Sequence, residues 1–329
     1  MGRTDDDTSS LLRMAGLATP MALRVAVTLD LPKRLRDAAS AAILADELHV
    51  NAVALGLLLE HLATLDILER TGDGFRTTAY GSNLCDDNLI TTLLRLDTAG
   101  GRAELAFVEL AHSVATGEAA YPRRYGAGFW ADLAEHPHLR ESFDRQMTLR
   151  IRAQLPHLVA AFEWSRFDSL VDVGGGNGEV LAAILAAHPR MRGHLVDLDS
   201  TAALATFRAH DLAERTQATA SSFFDPLPLG ADAYLLVDIL HNWEDAHAGR
   251  ILARCAEAAG PTGCILVVEH VADRGTNTEL NLSMLTMFGG RDRHVAELES
   301  LAAPQGLTLD DAIDLTSERS LLEFRRTAG

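Results

Sequence analysis

The chain has 329 residues, 47% of them apolar and 23% charged, with a net charge of −17 at pH 7. That length admits one large domain or two ordinary ones with ample core, and the composition is that of a soluble globular protein. So acidic a balance repels phosphate backbones and anionic membrane surfaces, which leaves nucleic acid and membrane outside the expected partners.

The opening MGRTDDDTSS is acidic where an export signal needs positive charge ahead of an apolar core, and no window approaches the length of a membrane span. Cys85, Cys255 and Cys264 lack metal-ligand spacing and read as buried reduced thiols. A cytoplasmic location without a metal is expected.

Leu11 to Leu35 is helical in pattern, Ala38 to His49 and Asn51 to Leu65 are short amphipathic helices, and Leu65 to Thr78 reads as strand, glycine turn and strand. Helix, helix and wing is the layout of a winged-helix module. As a DNA reader its second helix should offer arginines or polar groups to base edges, but it offers Val, Ala, Leu and Glu60. A face so apolar is better buried against another protein surface, so a homodimer through the N-terminal helices is expected.

Leu93 to His112 and Phe129 to Trp164 are mainly helical, and AYPRRYGAG, residues 120–128, reads as a loop between them. Three parts result: a winged-helix-like dimerisation domain at 1–98, linking helices at 99–166, and an α/β domain at 167–329. Phe129, Trp130 and Met147 on the linking helices are either pocket walls or ordinary core; spacing does not separate the two.

Leu170 to Ser200 reads as strand, glycine turn, helix and strand, with Asp197 ending the second strand. A dinucleotide fingerprint needs a third glycine where Glu179 stands, and a Walker phosphate loop needs a Lys-Ser/Thr that is missing. The spacing present is acid-x-Gly-x-Gly-x-Gly, from Asp172 through Gly174, Gly176 and Gly178. Further strands at Gln217 to Phe224, Ala233 to Ile239 and Cys264 to His270, with a final pair at Leu307 to Leu315 and Ser320 to Thr327, give an α/β doubly wound sheet with an antiparallel edge. Where strand ends face the crevice stand FFDPLP (223–228) and DILHNWED (238–245). By itself His241 reads as a surface histidine, and Glu269 as a strand cap as readily as a functional group. Asp197 could be a solvated strand end or a cap, but its place at the carboxyl end of the second strand, in the crevice of the glycine turn, favours a ligand role.

The glycine spacing resembles motif I of the S-adenosylmethionine (SAM) methyltransferases. LHNWED resembles the LHDWxD segment of the small-molecule O-methyltransferases, the family of plant phenylpropanoid enzymes and bacterial polyketide tailoring enzymes. TPMALRVAVTLDL, AYPRRYGAGFW and FDRQM look further like the anthracycline-tailoring branch, and the resemblance covers nearly the whole chain. It implies a Rossmann-like catalytic domain with SAM as cofactor and S-adenosylhomocysteine as product. Asp172, Gly174, Gly176 and Gly178 would serve the methionine part, Asp197 the ribose hydroxyls, and Ser222, Phe223 and Val237 the rest of the cofactor. His241 would be the general base, oriented by Glu269 and Asp292. Phe129, Trp130, Met147, Asn242, Met284 and Phe288 would face an aromatic polyketide whose phenolic hydroxyl is methylated.

The chemistry suits those residue types, because a phenol has a pKa near roughly 10 and offers little phenolate at neutral pH. A histidine that takes its proton contributes roughly 10²–10⁴-fold. Departures from the family pattern are Ser222 where relatives often carry an acid, Asp292 in place of glutamate, Val237 and Asp238 in place of polar or basic residues, and Asn242 in place of aspartate. Some relatives in the anthracycline branch use SAM without methyl transfer, so a SAM-assisted decarboxylase or hydroxylase is the alternative, and a winged-helix regulator the more distant one.

Overall fold

The computed structural model describes residues 5–274, 277–316 and 319–327. Two units divide the chain, Met1–Arg102 and Ala103–Gly329.

In the first unit, helices Asp5–Ala15, Ala18–Thr28, Leu31–Arg34, Ala41–Leu48 and Ala52–Thr64 precede strands β1 (Leu68–Thr71) and β2 (Gly74–Thr77). Ser40 Oγ accepts from the Ile43 amide and Asn51 Oδ1 from the Ala54 amide, which satisfies free N–H groups at two helix starts. Leu55, Leu59 and Leu62 recur at helical spacing and are buried with Leu31, Leu35, Leu44 and Phe75. The hairpin is shorter than Leu65 to Thr78 because Asp66, at φ 57°, turns the chain before β1 begins. Helix Ala52–Thr64 leaves Val53 75% and Leu57 70% exposed, so its apolar surface is wider than this core covers.

One expectation fails in this unit. Ser10–Thr28 has the length and apolarity of a membrane-crossing helix, 19 residues at a mean hydropathy of 1.2. Arg13 and Arg24 interrupt its apolar run in the sequence, and 17% of the window is buried. The helical structure there breaks at Gly16 and Leu17, between Asp5–Ala15 and Ala18–Thr28.

The second unit holds β3 (Ser169–Val173), β4 (Arg192–Asp197), β5 (Thr216–Ala220), β6 (Ala233–Val237), β7 (Cys264–His270), β8 (Leu307–Asp314) and β9 (Arg319–Arg326). They form one sheet in the order β5-β4-β3-β6-β7-β9-β8. The first five strands are parallel, while β9 runs antiparallel to both β7 and β8. Alternate side chains feed two cores: Val171, Tyr234, Leu236, Ile265 and Val267 lie on one face, and Leu170, Leu235, Leu266 and Val268 on the other. Helices cover both faces, which is why these strands are apolar throughout rather than alternating. The winding reverses at β3, between β4 and β6, and this opens a crevice beyond the carboxyl ends of the strands.

Two local expectations are corrected. Strand β5 ends at Ala220, not Phe224, because Ser222 bends the chain: its Oγ accepts from the Phe224 amide at 3.2 Å and its carbonyl from Asp225 at 3.0 Å. Within residues 120–128, Tyr121–Tyr125 is a short helix, not a loop. Pro122 sits in its first turn and Gly126, at φ 80°, ends it.

Leu266, fully buried on the central strand β7, tests the sheet core. Leu266→Ala should cost about 2–5 kcal/mol in urea denaturation, as truncations in well-packed cores do.

Candidate active site

The glycine loop follows β3 and starts helix Glu179–Ala187. Gly174, Gly176 and Gly178 take φ values of 76°, 57° and 78°, which glycine adopts without strain. A Cβ on Gly174 would stand 2.6 Å from Ile239 Cδ1, and one on Gly178 would stand 2.8 Å from Phe207 Cε1, whereas one on Gly176 would meet nothing within 4 Å. The loop is therefore pinned at both ends and open in the middle. A side chain at Gly176 would fill the free space, so the cradle fits a ligand passing over bare backbone.

Asp197 closes one side of this cradle. Its Oδ2 accepts from the Gly176 amide at 2.9 Å and its Oδ1 from Arg140 Nη2 at 3.3 Å. Asp172 lies under the loop, 1% exposed, where a Cβ on Gly175 would come within 2.4 Å of its Oδ2. Burial, with Asp197 adding repulsion, raises the Asp172 pKa to about 7. Asp172 is thus placed to support the loop from below, not to line its open side. The Phe223 ring approaches Gly174, and Val237 ends β6 beside it, half-buried. Ser222 Oγ accepts from the Phe224 amide.

A second cluster forms where β6, β7 and the segment after helix Thr278–Phe288 converge. Asp238 takes φ 54°, uncommon outside glycine, and the chain then turns through Leu240–Asn242 to present His241. Glu269, near the end of β7, holds this turn: its Oε1 accepts from the Ile239 and Leu240 amides at 3.0 and 2.6 Å. Its other oxygen, Oε2, lies 3.2 Å from His241 Nδ1, and Asp292 Oδ1 lies 3.6 Å from the same nitrogen. The Nδ1 contacts have ion-pair distances without hydrogen-bond alignment. All three side chains are buried. Burial by itself lowers the His241 pKa, but the charge of Glu269, with Asp292 and Asp238, raises it to about 9. The Glu269 carboxyl is pushed upward by its burial, against the pull of His241. With Nδ1 turned to carboxylates, Nε2 is the ring atom available for proton exchange.

Two residues overlooked in the sequence complete this turn. Arg293, 2% exposed, donates to the carbonyls of Leu240 and Trp243 at 2.9 and 2.6 Å and pairs with Asp245. Gly290 packs against the turn so closely that a Cβ would stand 2.0 Å from the His241 carbonyl oxygen. The Gly-Gly pair in GGRDR was the available signal for this close approach. Asn242 binds its own turn, donating from Nδ2 to the Asp238 carbonyl at 2.9 Å.

Of the expected acceptor residues, Phe129, Trp130 and Phe288 come together. Trp130 stacks on Phe288 with centroids 5.4 Å apart and an interplanar angle of 17°, while Phe129 meets both edge-on. Phe143 joins them at 5.5 Å from Phe129. Trp130 Nε1 is buried and, among the described residues, has no hydrogen-bond partner. Met284 is buried on the helix that carries Phe288, and Met147 is half-buried on the helix that carries Phe143. An aromatic cluster of this kind, with one unpaired buried donor among the described residues, suits an aromatic ligand bearing a polar group.

Two family models match the chain: an O-methyltransferase dimerisation domain over residues 12–87 and an O-methyltransferase domain over residues 107–308. A 2,7-dihydroxy-5-methyl-1-naphthoate 7-O-methyltransferase of Streptomyces carzinostaticus is 44% identical over 91% of this chain and 92% of its own. An aclacinomycin 10-hydroxylase of Streptomyces purpurascens is 40% identical over 98% of this chain and 89% of its own. Among solved structures, an O-methyltransferase from neocarzinostatin biosynthesis, in complex with SAM and 2-hydroxy-5-methyl naphthoic acid, has a TM-score of 0.91 and 41% identity, covering 96% of this chain and 98% of that one.

The charge next to His241 is open to direct measurement. Glu269→Gln removes the larger negative neighbour, so the imidazolium loses stabilisation and its pKa falls from about 9, by about one to three pH units. Histidine NMR titration of the wild type and variant reads this, and identical titration curves would contradict the arrangement.

Proposed function

The chain belongs to the O-methyltransferase family, whose catalytic and dimerisation domains it carries, and from that premise we propose that it methylates a phenolic hydroxyl of an aromatic polyketide with SAM. The observation that carries the reading is His241, held by Glu269 with Nδ1 against carboxylates, beside a glycine cradle open at Gly176. The naphthoate enzyme and the SAM- and naphthoic acid-bound structure support the acceptor class and the cofactor.

Gly174, Gly176 and Gly178 would hold the methionine part of SAM, Asp197 the ribose, and Phe223 and Val237 the remaining apolar surface. Bound there, SAM supplies an electrophilic methyl group on a sulfonium whose positive charge opposes a protonated imidazole nearby. The aromatic wall of Phe129, Trp130, Phe143 and Phe288 orients the acceptor ring. His241 accepts the phenolic proton at Nε2, and Glu269 and Asp292 stabilise the imidazolium that forms. Glu269 is a positioning residue in two senses, since the same carboxylate fixes the backbone of the turn and faces the ring. Adenine would be held more loosely than by an acid, or through Ser222 and water, the Ser222 hydroxyl still having its hydrogen to donate.

The reading extends to a homodimer built on the first unit, where the exposed Val53 and Leu57 give the apolar surface a partner copy would cover. Three buried free thiols fit a reducing, cytoplasmic setting. By this reading residues 1–98 dimerise, 99–166 supply pocket walls and 167–329 carry the catalytic sheet.

His241→Ala should lower kcat by roughly 10²–10⁴-fold while S-adenosylhomocysteine binds nearly as before. Methyl-labelled SAM and hydroxynaphthoate acceptors test the reaction itself, with label expected in the product. An unlabelled product lighter by carbon dioxide or heavier by oxygen would replace methylation by the chemistry of the hydroxylase-like relatives.

A further inference from the structure

Arg150 lies near the end of helix Pro137–Arg152, which borders the glycine loop. Thr148 on this helix accepts from Asn177 Nδ2 in the loop, and Arg152 pairs with Glu179 at 3.3 Å. Arg150 itself is half-buried, and the charges it feels are those of Asp238, Arg319 and Glu104. Asp238 is already engaged: Arg319 donates to it from Nε at 3.2 Å and from Nη2 at 2.5 Å, and Arg319 is only 6% exposed. Among the described residues the Arg150 guanidinium has neither a hydrogen bond nor an ion pair. Burial pushes its pKa down, and Arg319 adds repulsion.

Keeping a cation half-enclosed and without a partner is unfavourable, and a second arginine nearby makes it more so. The arrangement lacks one negative group. A planar fork of N–H donors is matched best by a carboxylate, which accepts two parallel hydrogen bonds. Position narrows the ligand further. The helix that carries Arg150 is tied to the glycine loop through Thr148 and Arg152, and Arg150 feels the charge of Asp238, which follows β6 and precedes Ile239, the residue pressed against Gly174.

We infer that Arg150 is a carboxylate-binding residue of this crevice, completed by a bound small molecule that carries an acid group. That acid is the amino-acid end of SAM or the acid group of an aromatic acceptor, so the inference rests on the reading that the crevice takes both. Arg319 is committed to Asp238, whereas Arg150 has no such pairing among the described residues.

Calorimetric titration of the full-length protein separates the two sources with matched probes: S-adenosylhomocysteine against 5′-methylthioadenosine, and 2-hydroxy-1-naphthoic acid against 2-naphthol. Arg150→Gln should weaken one acid-bearing probe by roughly 10–100-fold, leave its acid-free counterpart within about threefold, and have part of the loss restored in Arg150→Lys. The acid that loses affinity identifies the source. Should Arg150→Gln lose both members of a pair through misfolding, Arg150→Lys is read by the same comparison. No selective loss for either acid overturns the assignment of Arg150. Failure of the wild type to bind S-adenosylhomocysteine overturns instead the proposed function on which it rests.

Discussion

One carboxylate organises the catalytic end of this molecule. Glu269 comes off a buried central strand and gives one oxygen to two backbone amides of the Ile239–Leu240 turn and directs the other at His241 Nδ1. Taking a carboxylate out of water is costly unless its oxygens are satisfied, so the turn and the imidazole are both conditions of its burial. Remove it and the histidine loses its charge partner together with the backbone support that aims it. Arg293 and Gly290 secure the same turn from its other side, one by donating to carbonyls and one by leaving room.

The sheet brings this turn to the cofactor cradle. Because β3 lies between β4 and β6, the glycine loop, Asp197 and the His241 turn leave adjacent strands at their carboxyl ends. The loop's own geometry depends on the neighbours: Gly174 must lack a side chain because Ile239, from the next strand's turn, occupies that space. Cradle and base are therefore coupled by packing, and neither could move far without the other.

Much of this was legible because the responsible residues are local in sequence. Three glycines at alternate positions, an acid ending the next strand and LHNWED each signal their structure within a few residues. What escaped depends on partners far apart in the chain. Arg293 acts on carbonyls 50 or more residues earlier, and Arg150 becomes conspicuous only once Arg319 is seen to occupy Asp238. The bend at Ser222, where its Oγ accepts from the Phe224 amide, is a local turn that the strand-like run before FFDPLP does not reveal. That the Asp172 side chain is buried beneath the loop is likewise set by the fold, since the sequence does not show which side of the loop it takes. The membrane-length stretch at Ser10–Thr28 was hidden by two arginines that hydropathy averaging absorbs.

The central claim is that a histidine buried among carboxylates serves as the base at this site. Its most direct test is the pH dependence of kcat/KM for methylation of a hydroxynaphthoate by the wild type and by His241→Ala. A base whose free-enzyme pKa is raised to about 9 predicts that wild-type kcat/KM climbs with pH up to that region, because only the neutral imidazole accepts a proton. That histidine-dependent rise should disappear from the variant. Profiles of the same shape in both proteins, differing only in height, would contradict it.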